Sequence, residues 1–156
     1  MENPNFRVAL GLMLKSMSDA YETNQAKNHQ IVLQLGPTPP ILVEAGLPQL
    51  PIGLTGKVVD KCFFDHGITK GMLEKMYHVI ASPRALYRSH NPKDACVVMS
   101  YEIKGNNPLI AAIHPNKQLA GRRDFYNNVA SYYFKENDAE VRWKKDGLLL
   151  WEALQK

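Results

Sequence analysis

Apolar positions along this chain follow two different periods. From Phe6 to about Gln25 they recur at Phe6, Leu10, Met13, Leu14, Met17 and Tyr21, with Lys15, Asp19 and Glu22 between them. A spacing of three to four places them on one side of an amphipathic helix. Its methionine-rich face either packs on the same domain or docks a partner. The branched run 31–35 predicts a strand, halted by Gly36-Pro37-Thr38-Pro39-Pro40. Residues 41–45 suffice for one helical turn, and 52–55 for a short strand. Thr55 and Thr69 are placed to cap two helices. The first, over 56–65, carries Val58, Val59, Cys62 and Phe63 on one face; the second carries Met72, Leu73, Met76 and Ile80 and stops at Pro83. They meet at Asp65-His66-Gly67.

Beyond Pro83 the period changes to two. A strand is expected over 85–89, then a turn at Asn91-Pro92-Lys93-Asp94, then two apolar runs within 95–114 joined by Gly105-Asn106-Asn107-Pro108. Alternation in the first run puts Val97, Met99, Tyr101 and Ile103 on a core face. If the turn sets the register, Glu102 lies opposite Ile110, Ser100 near Ala112 and Val98 near His114. Ser100, Glu102 and His114 then share one side of a ribbon. A basic loop over 117–124, a strand over 129–134, a helix over 137–145 capped by Asn137 with Glu140 three residues on, and a last strand over 148–151 complete the pattern. The predicted fold class is α+β: N-terminal helices followed by a mainly antiparallel sheet with one late crossover helix. Residues 1–28 form a leading amphipathic helix and 29–156 the domain.

Charge is unevenly placed. Up to His66 there are five Lys/Arg against six Asp/Glu, and from Gly67 to Arg123 nine against three. The middle of the chain thus reads either as a footprint for a polyanion or as a solvated basic surface. Cys62 and Cys96 sit in apolar runs without metal-ligand spacing, as buried free thiols do. No run of apolar residues is long enough to span a bilayer, and the start does not suit a secretory signal, so a cytoplasmic protein is expected. No phosphate-binding glycine loop, zinc-hydrolase motif or serine-hydrolase elbow is present.

The order of these motifs resembles a known family. L-P-I, a helix ending in H-G-I-T, a second helix closing with S-P, the strand A-L-Y-R-S, then V-V-M-S-Y-E-I-K, P-L-I-A-A-I-H, N-N-V-A-S-Y-Y and G-L-L-L-W are similar to the phage MuF carboxy-terminal domain. The resemblance covers about Ile31 to Trp151. That family is grouped with barnase/EndoU/colicin/RelE-like nucleases, so the resemblance implies a barnase/RelE-like fold and an RNA-cutting toxin or effector of phage and mobile elements. By position the motif residues are His66, Arg88, Ser89, Glu102, His114, Ser131 and Tyr132. The implied partners are RNA and, for a toxin in a bacterial cytoplasm, an antitoxin or immunity protein or another host protein. With only a short leader before the domain, the chain is expected to be a solitary toxin or a recruited binding protein.

Metal-independent RNA cleavage needs a base for the 2′-hydroxyl proton, cations for the charge on the phosphorane and an acid for the leaving 5′-oxygen. The residue types are present. His66, Glu102 and His114 suit proton transfer, with Arg88 as the cation beside them. Ser89, Arg122, Arg123, Ser131 and Tyr132 suit phosphate binding, hydrogen bonding or base stacking. Such an enzyme makes a 2′,3′-cyclic phosphate without metal or cofactor. Each residue also has a plainer role: His66 against terminal helix carbonyls, His114 as a strand-end residue, and Glu102 as a solvent-facing partner of Arg88. The alternative function is a catalytically inactive module that inhibits a host nucleoprotein or defence enzyme. Action on a nucleotide in the same cleft is a third possibility.

Overall fold

In the computed structural model, which describes residues 1–23, 29–119 and 121–154, the leading stripe forms α1 (Phe6–Thr23). Phe6, Leu10, Met13, Leu14 and Met17 are buried in the main core of the molecule. Tyr21, the last residue of the stripe, is half exposed, and the helix end expected near Gln25 lies outside the described residues. The chain continues through β1 (Val32–Pro37), α2 (Pro40–Glu44), β2 (Pro51–Thr55) and α3 (Gly56–Asp60). After α4 (Lys70–Glu74) and α5 (Met76–Ala81) come β3 (Ala85–Arg88), β4 (Cys96–Lys104), β5 (Asn107–Gln118), β6 (Phe125–Phe134), α6 (Ala139–Lys145) and β7 (Leu149–Glu152). The fold is α+β. One seven-stranded sheet runs in the order β1-β2-β6-β5-β4-β3-β7, antiparallel except where β2 meets β6. No helix among the described residues is long and apolar enough to cross a membrane.

Thr55 and Thr69 cap as expected, their hydroxyls accepting from Val58 N at 3.4 Å and Met72 N at 3.2 Å. The helix expected over 56–65 changes geometry at Lys61, where Lys61–Asp65 winds as a π-helical turn closed by His66 N on Lys61 O at 3.0 Å. The wider turn aims the Cys62 thiol at Tyr132 O, 3.4 Å away on β6, and sets Phe64 against the Tyr21 ring at 4.3 Å. It therefore lies along β6 where β2 no longer covers that strand. The following helix is also divided, at Lys75, into α4 and α5.

Two layers flank the sheet. On one face Leu86, Val98, Leu109, Ala111, Ile113, Val129 and Tyr132 meet α1 to α5. On the other, Ala85, Tyr87, Val97, Met99 and Ile110 form a smaller cluster with Ala112, Tyr133 and Trp143, the last carried by α6. The crossover helix is thus present, but Asn137 does not cap it. The cap position is Asp138, which makes no side-chain cap hydrogen bond, and Glu140 turns inward. Glu140 accepts from the Tyr87 hydroxyl at 2.6 Å and from both terminal Arg84 nitrogens at 3.2 Å.

The β4–β5 register differs from expectation. Val98 lies opposite Ala111 and Met99 opposite Ile110, while Ile103 pairs with Pro108, so an irregularity separates Met99 from Ile103. The turn therefore does not set the register of the whole ribbon. Ser100 faces the helical layer, buried, with its hydroxyl on Leu109 O at 2.9 Å. Tyr101 and Ile103 leave the core at the hairpin tip, 62% and 61% exposed. Arg88 is opposite Cys96, and no ion pair joins it to Glu102.

Cys62 and Cys96 are buried free thiols, and burial pushes both up to about 12. Neither presents a thiolate near neutral pH. A disulfide-exchange reagent should therefore label them only after denaturant unfolds the protein; labelling of the native state at the rate of a free thiol would contradict this packing. Gly53 on β2 is constrained as well, because a Cβ there would come within 2.9 Å of Leu119 Cδ1 and 3.0 Å of Tyr126 Cγ. Gly53→Ala should cost about 1–3 kcal/mol in a denaturant melt.

Candidate functional site

The second face of the sheet is covered by α6 over β3 and β4, and by a small cluster of Val32, Leu119 and Tyr126 near β1 and β2. Between these covers the face of β5 and β6 carries polar side chains. Ala112 is opposite Ser131, and His114 is opposite Asn128, so all four lie on this face with Tyr133. Lys117, opposite Tyr126, continues the strip. At its other end the His66 ring stacks on Tyr133, with centroids 5.5 Å apart, and Lys135 Nζ stands 5.7 Å from the Tyr133 ring. The π-helical turn is what delivers His66 there, since it carries the chain along the β6 edge.

Two features of the strip point to chemistry. Burial, reinforced by the Lys117 charge and opposed by Asp94, holds the His114 imidazole below its ordinary value of 6.5, so it is unprotonated at neutral pH. Asn128 Oδ1 is buried without a hydrogen-bond partner among the described residues. An orphaned buried acceptor is uncommon. This one lies beside a neutral base, with cross-strand Cβ atoms about 5 Å apart by ordinary sheet geometry.

The residues singled out by sequence do not converge. His114 and His66 are held at Asn128 and Tyr133 respectively, five residues apart on β6, which is about 16 Å. The backbone thus holds them at opposite ends of the strip. Glu102 stands exposed at the hairpin end, also about 16 Å or more from His114 along the ribbon. Its carboxylate lies close enough to Tyr132 that, after burial and Cys62, it adds to the upward shift of that phenol. Tyr132 faces the helical layer, fully buried, and donates to Met72 O at 2.9 Å, so it is withdrawn from any contact with substrate. Ser131 is in the strip, diagonal to His114 at roughly 7–8 Å between Cα positions.

Arg88 and Ser89 stand at the end of β3 and line a cavity of about 220 Å³ with His90, Lys93 and Asp146. Arg88 is two strands from Ile113 through Cys96, about 10 Å from the His114 backbone. Arg122 and Arg123 are exposed in the β5–β6 connection, where Arg122 N bonds Leu119 O at 2.9 Å and Arg123 O accepts from Gln118 at 3.0 Å. They rim the Lys117 end of the strip. Asn128, Lys117 and Tyr133 were not expected from the sequence. The signal available for Asn128 was its pairing with His114, which needed the bulge between Ala112 and Ile113 to be known.

A larger cavity of about 940 Å³ lies elsewhere, between the first residues of the chain, β1 and α2. Glu2 and Glu44 are its charged side chains among the described residues, and the Met1 ammonium in its wall is bonded to Tyr77 Oη at 3.1 Å, so no Lys or Arg faces a phosphate there. Size alone does not make it the site for a polyanion.

No curated protein and no solved structure matches the chain. The model of one family, the Phage MuF-C-terminal domain, matches residues 58–156, which leaves α1, β1 and β2 ahead of the match although the motif resemblance was expected to reach back to Ile31. From α3 onward, the π-turn that carries His66 and the whole β5–β6 strip lie within the match, and the chain belongs to the Phage MuF-C-terminal domain family.

Proposed function

We propose that the β5–β6 strip is the active face of a metal-independent endoribonuclease of the barnase/RelE-like group, acting as a phage or mobile-element effector on RNA in the bacterial cytoplasm. The observation that carries this reading is the orphaned Asn128 Oδ1 beside the neutral imidazole of His114. A nucleobase N–H supplies the donor that Asn128 lacks, and the ribose 2′-hydroxyl beside it, the group that distinguishes RNA from DNA, keeps its one proton for His114. His114 takes the 2′-hydroxyl proton, the 2′-oxygen attacks the adjacent phosphorus, and the bond to the 5′-oxygen breaks. The 5′-oxygen leaves with a proton drawn from solvent at the open strip. The products are a 2′,3′-cyclic phosphate and a 5′-hydroxyl. Lys117, Arg122 and Arg123 supply positive charge for the phosphorane, and Ser131 a hydroxyl. His66 and Tyr133, about 16 Å away, form a ring platform for a neighbouring base rather than a catalytic pair.

The test is incubation of pure protein with single-stranded RNA in EDTA, followed by end-group analysis. Cyclic phosphate ends on RNA, with the 2′-deoxy analogue left intact, are the expected result. His66→Ala should weaken RNA binding by about tenfold, the value of one lost base stack, while leaving the cyclic ends unchanged. Intact RNA at micromolar enzyme would remove the catalytic reading.

The separation of His66 from His114 favours a second reading, in which the domain is an inactive member that inhibits a host nucleoprotein or defence enzyme. The exposed Tyr101 and Ile103 at the hairpin tip then provide the contact. Replacing both with serine would abolish capture of the host target in that case and leave RNA cleavage untouched in the first.

A further inference from the structure

We propose that the end of β3 holds a terminal phosphate, the dianionic phosphomonoester of an RNA chain end or a mononucleotide. Two cavities adjoin there, of about 220 and 480 Å³, and Arg88 and Lys93 are the two residues that line both. Neither side chain makes a salt bridge or hydrogen bond to another described residue, in contrast to Arg84, which is engaged by Glu140. Of the carboxylates in the walls, Asp146 is engaged by His90 Nε2 at 3.0 Å. Asp94 lines the larger cavity, and its charge acts on His114. Arg88 and Lys93 thus line both cavities, with neither held in an ion pair by the two carboxylates that share the walls.

The chemistry selects a phosphomonoester over a diester. A guanidinium presents a planar fork to two phosphate oxygens, and an ammonium adds a point charge. Two such charges match the second negative charge that only a terminal phosphate carries. Ser89 Oγ accepts from Asn91 N at 3.3 Å, which leaves its hydroxyl proton free to donate. The backbone that carries the fork is anchored, because Arg88 is held by β4 on one side and its main-chain N–H bonds Leu148 O at 2.8 Å on the other.

Pro115 and Asn116 in the wall of the larger cavity directly follow His114. The proposed base is about 10 Å away, no more than about three nucleotides of a stacked strand. For RNA this deepens the cleavage reading and rests on it: the pocket would recognise a phosphorylated chain end and place the cut close to it. Phosphate binding itself does not depend on cleavage.

The experiment is a titration of isotope-labelled full-length protein with adenosine 5′-monophosphate, adenosine and inorganic phosphate, followed on backbone amides. A parallel assay measures cleavage of RNA carrying a 5′-phosphate or a 5′-hydroxyl. Adenosine 5′-monophosphate should move Ser89, His90, Lys93 and Gly147, and adenosine should not. Arg88→Gln and Lys93→Gln should each weaken binding by about tenfold with an unchanged melting temperature. Phosphorylated RNA should be cut faster and near its end, and Arg88→Gln should erase that preference. Equal responses to inorganic phosphate and the nucleotide support the pocket with free phosphate as its source. Nucleotide binding without any RNA cleavage keeps the pocket and removes the nuclease reading. Cleavage indifferent to the end group, with no phosphate-dependent shift, overturns the pocket and leaves the nuclease.

Discussion

His114→Ala should lower RNA cleavage by about 10³-fold, the usual contribution of a positioned general base, while the melting temperature stays close to that of the wild type. His114 is only partly buried, within β5 beside the irregularity that follows it, so the loss would be chemical rather than structural. The pH profile gives the same residue a second signature. Because burial and Lys117 hold its imidazole below the ordinary 6.5, the base remains unprotonated in mildly acidic solution. Activity should therefore persist as pH falls through 6.5, and drop only when pH passes the lowered folded value. Stability follows with the opposite emphasis. Between the folded value and 6.5 the unfolded chain binds a proton that the folded chain does not, so stability decreases as pH falls through that window. A rate that already halves near 6.5, or one insensitive to His114→Ala, would rule out His114 as the base.

Glu140→Ala should produce the largest loss of stability among single polar substitutions. Its carboxylate ties α6 to the sheet through Tyr87 and Arg84, and Tyr87 is fully buried. Removal strands a phenol hydroxyl and a half-buried guanidinium, at about 3 kcal/mol, or a fall of roughly 6–12 °C in Tm for a chain of this size. Burial alone would raise this carboxyl, but the Tyr87 and Arg84 hydrogen bonds outweigh it and hold it below its usual 4.5. The stabilisation is complete above the unfolded value and is lost as pH falls through the depressed folded one. Glu140→Ala should thus lose much of its disadvantage in strongly acidic solution. Equal stability of the two proteins in urea at neutral pH would refute the clamp.

The hydrophobic periods carried most of the elements because burial imposes them directly. Leu10, Met13 and Met17 could be read as one helix face, and Thr55 and Thr69 as caps, since each depends on neighbours within a turn. The departures lie where distant strands intervene. The π-turn at Lys61–Asp65 answers to the uncovered edge of β6, which no local pattern records. The β4–β5 register depends on an irregularity between Met99 and Ile103, and a shift of this kind sends side chains to the other face. Ser100 was lost from the expected site for that reason, and Glu102 was left at the hairpin end. Glu140 looked like half of a capping box, yet its partners are 56 and 53 residues earlier in the chain. The polar strip was legible only in its members His114 and Ser131, and Asn128 became visible once the bulge in β6 had set the pairing.

Photo-crosslinking of the wild-type protein to single-stranded RNA containing 4-thiouridine, with the linked peptides mapped by mass spectrometry, bears most directly on where RNA lies. Links at His114, Lys117 and Tyr133, on the open face of β5 and β6, are the predicted result. Links confined to residues 34–51 around the large cavity, or none at all, would contradict it.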